Sequence, residues 1–193
     1  MTENIFFDKS KLKRCGANVI IGKTVRIRSP EKVSIGDNVI IDDFTYISGE
    51  VTIGDYVHVA CNCVLAASQG TIEMKSFSGL SAGCKVYAGS SNYVTCGLDI
   101  PTIPIEYQYN TIIDNVILES FALVGANGTV LPGAILPEGF AMAANLIVRK
   151  KLKLNPWSLM VNDEGKQIKR KGVKELHQRV NQFYNINFKH LEE

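Results

Sequence analysis

An aliphatic residue returns at every sixth position along most of this chain of 193 residues. Ile35, Ile41, Ile47, Ile53, Val59 and Leu65 set the beat, and Met74, Leu80 and Val86 continue it after a three-residue slip. After a long break come Ile112, Leu118, Val124, Val130, Leu136, Met142 and Val148; Ile21 and Ile27 stand upstream. The fifth position of each hexad is mostly small or β-branched (Val39, Thr45, Cys63, Cys84, Ala122, Gly128), and the second is often Gly or Ala (Gly36, Gly54, Ala60, Gly125, Ala143). A helix would need apolar spacing of three and four, and a simple strand would alternate by two. Period six suits a short strand and a corner, repeated three times per coil, with coils stacked about 4.8 Å apart. First-position aliphatics then fill a triangular interior. Fifth positions stay small because three of them crowd one cross-section. The expectation is an all-β, quasi-one-dimensional stack whose stability grows coil by coil.

Composition narrows the class. At 46% hydrophobic content the chain can build one sizeable core. No window approaches 18 apolar residues, so no membrane span is expected. The opening "MTENIFFDKSKLKRCG" lacks the apolar stretch of a signal peptide. The five cysteines, Cys15, Cys61, Cys63, Cys84 and Cys96, read as reduced thiols in a cytoplasm. Cys61 and Cys63 have no second Cys or His pair to complete a zinc site, so no metal is expected. The net charge of +2 hides an asymmetry: residues 149–174 hold nine Lys/Arg against two acids, or +7, which leaves −5 for the rest. Such a stretch is either a solvated face or an anion site. It lacks the interleaved aromatics and recognition motif of a nucleic-acid binder.

The segments "SIGDNVIIDDFTYI", "TIGDYVHVACNCVL" and "ALVGANGTVLPGAILPEGFAMAANLIV" resemble the hexapeptide-repeat acyltransferases, over roughly residues 19–168. That resemblance implies a left-handed parallel β-helix, although crossover connections are ordinarily right-handed. The expected layout is an N-terminal segment (1–18), a β-helix domain (19–155) with one long inserted loop (about 88–111), and a C-terminal extension (156–193). Within the extension, "VKELHQRVNQFY" has the spacing of a short amphipathic α-helix. The nearest likeness is to bacterial sugar acetyltransferases of surface-polysaccharide pathways. It implies a cytoplasmic homotrimer that takes acetyl-CoA as co-substrate and a sugar, nucleotide-sugar or lipid-linked sugar as acceptor.

The resemblance also assigns residues. Gly125, Ala126, Ala143, Ala144 and Asn145 match positions that line the pantetheine tunnel, where small residues allow close approach. Lys150 matches the lysine that meets the CoA phosphates, and Lys166 keeps a second basic position. The segment "KLNPWSLMVNDEGKQI" matches the family form, but Asn162-Asp163-Glu164-Gly165 replaces Gly-Asn-Pro-Ala, so the turn there is expected to be rebuilt. Many sugar O-acetyltransferases of this fold carry their base just after the strand that here ends "KVYAG". The matching positions are Ser91 and Asn92, with no histidine. Asn92 can orient a substrate hydroxyl but cannot accept its proton.

A base suited to neutral pH must come from His58, His177 or His190. The last two read as surface histidines of the tail. His58 occupies a sixth position, between inward Val57 and Val59, and so points outward. Its column also holds Ile40, Val64, Leu123, Ile135 and Ile147, an apolar outer face that a neighbouring subunit would cover. The inserted loop leaves from another face, so it would meet His58 only across a trimer. It offers Ser91, Tyr93 and Asp99 for sugar binding, with Ser90, Glu106, Tyr107 and Tyr109 nearby, and Pro101 and Pro104 stiffen it. The leading function is sugar O-acetylation. N-acetylation of a nucleotide-linked amino sugar and a non-catalytic assembly subunit are the alternatives, and a zinc site of the γ-carbonic-anhydrase kind lacks its histidines.

Overall fold

The computed structural model describes residues 4–95, 98, 100, 102–108 and 111–184; Asp99, Pro101, Tyr109 and His190 therefore lie outside the described residues. The chain winds into a left-handed parallel β-helix of seven coils. One face is a ladder of seven short parallel strands running from Ile20–Ile21 through Ile40–Ile41, His58–Val59, Gly79–Leu80, Leu123–Val124 and Ala141–Met142 to Ser158–Met160. The other two faces merge into a single sheet because Tyr46–Ile53 and Val64–Met74 run around a corner. Arg14–Cys15 already pairs with Ser34–Ile35. At the far end Gln167–Lys169 turns back antiparallel on Ser158–Met160, and the helix Val173–Tyr184 follows.

Sixteen of the eighteen hexad aliphatics are buried. Ile21 is partly buried, and Ile112 is a correction. It is 45% exposed and pairs antiparallel with Ser90 in the stem of the inserted loop, so it never enters the interior. The fifth positions Val39, Thr45, Val51, Val57, Cys63, Ser78, Cys84, Val116, Ala122, Gly128 and Ala134 are buried, as crowding requires, and Leu146 of the last coil is partly buried.

The recurrent Ile-Gly-Asp corners have a mechanical reason. Asp37 Oδ1 accepts the N–H of Ala17 one coil back, and Asp55 Oδ1 accepts that of Asp37. A β-carbon at Gly36 would lie 2.3 Å from Asp55 Oδ1. The glycine makes room for the carboxylate that satisfies a corner amide.

A second corner carries an aromatic column. Tyr56 stacks on Phe77 at 5.0 Å and Phe77 on Phe121 at 4.9 Å. All three adopt positive φ. The next coil has Gly139 at this corner, and Trp157 of the coil beyond leans across it to within 5.7 Å of Phe121. His177 of the terminal helix packs edge-on against Trp157 at 4.9 Å. The tail helix is thus docked on the column. His177 is half-buried rather than the free surface histidine expected, and burial pushes its pKa below the ordinary 6.5.

Candidate active site

The seven-stranded face presents its sixth positions outward in strict register: Ile20, Ile40, His58, Gly79, Leu123, Ala141 and Leu159. Val64, Ile135 and Ile147, expected in the same column, fall on the other two faces because successive hexads turn a corner. A groove of about 650 Å³ runs along it from His58 to Ala141. Tyr56 and Phe77 of the aromatic column wall one side. Ala60, Ser81 and Gly125, stacked through Ala60 N–H to Leu80 O and Ser81 N–H to Val124 O, form the other rim.

His58 is exposed at one end of this groove, and its Nε2 lies 2.8 Å from Asp42 Oδ2. An ionised carboxylate only accepts, so Nε2 carries a proton toward Asp42, and in the neutral ring the lone pair is on Nδ1. The pairing is diagonal. Asp42 sits at the second position one coil back, in a column where Gly22, Ala60, Gly125 and Ala143 are small. Sequence periodicity pointed to His58 but passed over Asp42. The available signal was a lone carboxylate in a small-residue column beside the outward histidine.

The residues expected along pantetheine occupy one corner on two successive coils. Asn127 Nδ2 donates to Asn145 Oδ1 at 3.2 Å, and Asn145 N–H donates to Ala126 O at 2.8 Å. Gly125 is also demanded by packing, since a β-carbon there would lie 2.6 Å from Met142 O. Ala143 and Ala144 occupy the same corner one coil further on, beside Asn145. Lys150 is engaged: its Nζ donates to Asp114 Oδ2, which holds the Asp114 carboxyl below its ordinary range. Asp114 N–H donates to Ala88 O, so this ion pair ties Lys150 to the root of the inserted loop. Lys166 lies in the hairpin turn after Met160, where its N–H donates to Asn162 Oδ1. Asp163 Oδ1 accepts the N–H of Ile147 at 2.7 Å, so the rebuilt turn is knit to the last full coil.

The inserted loop stands apart from the groove within one chain. It leaves the strand Lys85–Tyr87 of the merged sheet, and none of its described residues lines the groove. Asn92 Oδ1 accepts the N–H of Val94 in a tight turn, Ser91 is half-buried, and Tyr93 is 90% exposed. Among the described residues no group of three His, Cys, Asp or Glu side chains is placed to hold a metal ion. No helix among them is long and apolar enough to cross a membrane.

Residues 32–67 match the family described as bacterial transferase hexapeptide (six repeats). A dTDP-4-amino-4,6-dideoxy-D-glucose acyltransferase of Escherichia coli is 30% identical over 141 residues, 72% of each chain. AntD, an N-acyltransferase from Bacillus cereus solved with dTDP and 3-hydroxybutyryl-CoA, superposes with a TM-score of 0.84 at 34% identity, covering 95% of this chain and 100% of its own. A single-residue variant of AntD, solved with dTDP-4-amino-4,6-dideoxyglucose and coenzyme A, gives the same TM-score at 32% identity over the same shares.

Proposed function

The chain belongs to the hexapeptide-repeat acyltransferases, and we propose that it moves an acyl group from acyl-CoA to the amino group of a nucleotide-linked amino sugar. The observation that carries this reading is the full-length agreement with AntD, a CoA- and dTDP-bound N-acyltransferase. It favours nitrogen over the hydroxyl acceptor that the sequence alone put first. A neutral amine attacks a thioester with less help than an alcohol, which fits a loop start built of Ser91 and Asn92 rather than histidine.

In this reading the thioester carbonyl lies in the groove beside His58. The sugar nitrogen attacks it, a C–N bond forms and the C–S bond breaks. The proton shed by nitrogen passes to His58 Nδ1 and from there to the departing thiolate. Asp42, on Nε2–H, holds the ring and stabilises its charged form. Gly125, Ala126, Ala143, Ala144 and Asn145 flank the pantetheine arm, and Lys150 and Lys166 face the phosphates. A homotrimer would bury the apolar outer column of Ile20, Ile40 and Leu123, exposed by 57%, 38% and 41% in one chain. It would also bring a neighbour's Ser91, Asn92 and Tyr93 toward the groove. The same imidazole suits a hydroxyl acceptor, and a cytoplasmic place in surface-polysaccharide synthesis fits either acceptor.

The test offers the purified protein acetyl-CoA or 3-hydroxybutyryl-CoA with a dTDP-4-amino-4,6-dideoxyhexose and, separately, its 4-hydroxy counterpart. Released thiol and product mass are followed. Thiol release with an amide product from the amino sugar alone is expected. Equal or faster transfer to the hydroxyl counterpart would overturn the nitrogen assignment.

A further inference from the structure

The groove has a hole in its floor that packing within the chain does not explain. In the outward column, Ile40 and His58 on one side and Leu123 on the other carry bulky side chains, while Gly79 between them carries none. A β-carbon built there would meet Leu123 Cδ2 at 3.4 Å and the His58 carbonyl at 3.5 Å, ordinary contacts both. Gly79 also lacks the positive φ that would exclude other residues. Gly125, by contrast, is forced by the backbone of the next coil. A glycine inside a strand weakens it, and no contact within the chain requires one at position 79.

We propose that this hollow is the acyl-chain subsite: the acyl group of the donor thioester lies over Gly79, between His58 and Leu123, and the empty position 79 admits chains longer than acetyl. The inference rests on the acyl-CoA reading above. A thioester carbonyl served by His58 must place its substituent beside that residue. Of the two directions along the column, the groove extends only toward Gly79 and Leu123. One coil spacing is about 4.8 Å, so two separate His58 from Leu123 by roughly 10 Å, enough for a short chain. The floor of Gly79, Leu123 and Ala141 bears no charge, which suits an alkyl group better than a sugar or a phosphate.

The test measures kcat/KM for acetyl-, propionyl- and butyryl-CoA, and the Kd of each thioester by calorimetry, in the wild type, Gly79→Ala, Gly79→Val and Leu123→Ala. In the Gly79 variants the butyryl-to-acetyl ratio is expected to fall by at least about tenfold, the usual effect of one methylene too many in an apolar pocket. Leu123→Ala should move the ratio the other way. Thermal unfolding checks that each variant is folded. An unchanged ratio in all three variants, with wild-type turnover intact, overturns the subsite alone. A wild type that neither binds nor turns over any of the three thioesters overturns the donor reading and the subsite with it.

Discussion

Replacing Gly139 by alanine should unlatch the tail from the coil stack. Gly139 has φ +64°, and a β-carbon there would lie 2.2 Å from Trp157 Cε3. The left-handed conformation costs alanine about 1–2 kcal/mol. Non-bonded carbons sit near 3.5–4.0 Å, so the indole must retreat by more than an ångström. Such a displacement in packed surroundings costs about 1–3 kcal/mol. It also opens the contacts of Trp157 with Phe121 and His177. The total, about 2–5 kcal/mol, corresponds to a fall in Tm of roughly 5–20 °C for a chain of this size. Trp157 is the only tryptophan, so its emission reports on this site directly. The variant should show a red-shifted, solvent-exposed spectrum before global unfolding. Gly79→Ala is the control, because its β-carbon meets only ordinary contacts and its Tm should hold or rise. A Gly139→Ala protein with wild-type Tm and emission would refute the claim that the aromatic column holds the tail.

Three further outcomes follow from the site. His58→Ala should lower kcat by about 10²–10⁴, the usual contribution of a general base, and Asp42→Asn by a smaller factor. The exposed His58–Asp42 hydrogen bond itself contributes at most about 1 kcal/mol to stability, so melting should barely change; intact turnover in His58→Ala would remove the base. Lys150→Ala should weaken acyl-CoA binding about tenfold or more, as loss of a charge-assisted phosphate contact does, whereas Asp114→Asn frees the lysine and should not weaken it; equal losses in calorimetry would mean that Lys150 serves only the loop root. Acidification should loosen the tail. The folded pKa of His177 lies below its unfolded 6.5, so the unfolded state binds more protons near and below that pH, and stability falls as pH drops from 7 toward 5. The fall, followed as Tm, should flatten in His177→Phe.

The coil stack was legible because the hexad period is itself the geometry. Each first-position residue from Ile27 to Val148, Ile112 excepted, went to the interior. Ile112 misled because spacing does not record that the chain reverses into a loop stem before the next coil begins. The aromatic column was passed over because Tyr56, Phe77 and Phe121 occupy left-handed corners, where asparagine is the ordinary choice and a bulky ring is not. The Asp42–His58 contact joins a second position to a sixth position one coil away, a diagonal that no period encodes. Docking of His177 on Trp157 depends on how a tail folds back, which local pattern cannot supply.

The antiparallel return of Gln167–Lys169 has a meaning for solubility. A β-helix ends in an open ladder edge with the same spacing and direction as its own next coil, so an uncovered end is a template for another molecule. Here the last parallel strand, Ser158–Met160, is paired by a strand of opposite direction, followed at once by Arg170 and Lys171. The reversal breaks the register that end-to-end growth would need, and the charges repel a second copy. The hairpin therefore closes the ladder edge of this one face against a parallel strand from another molecule.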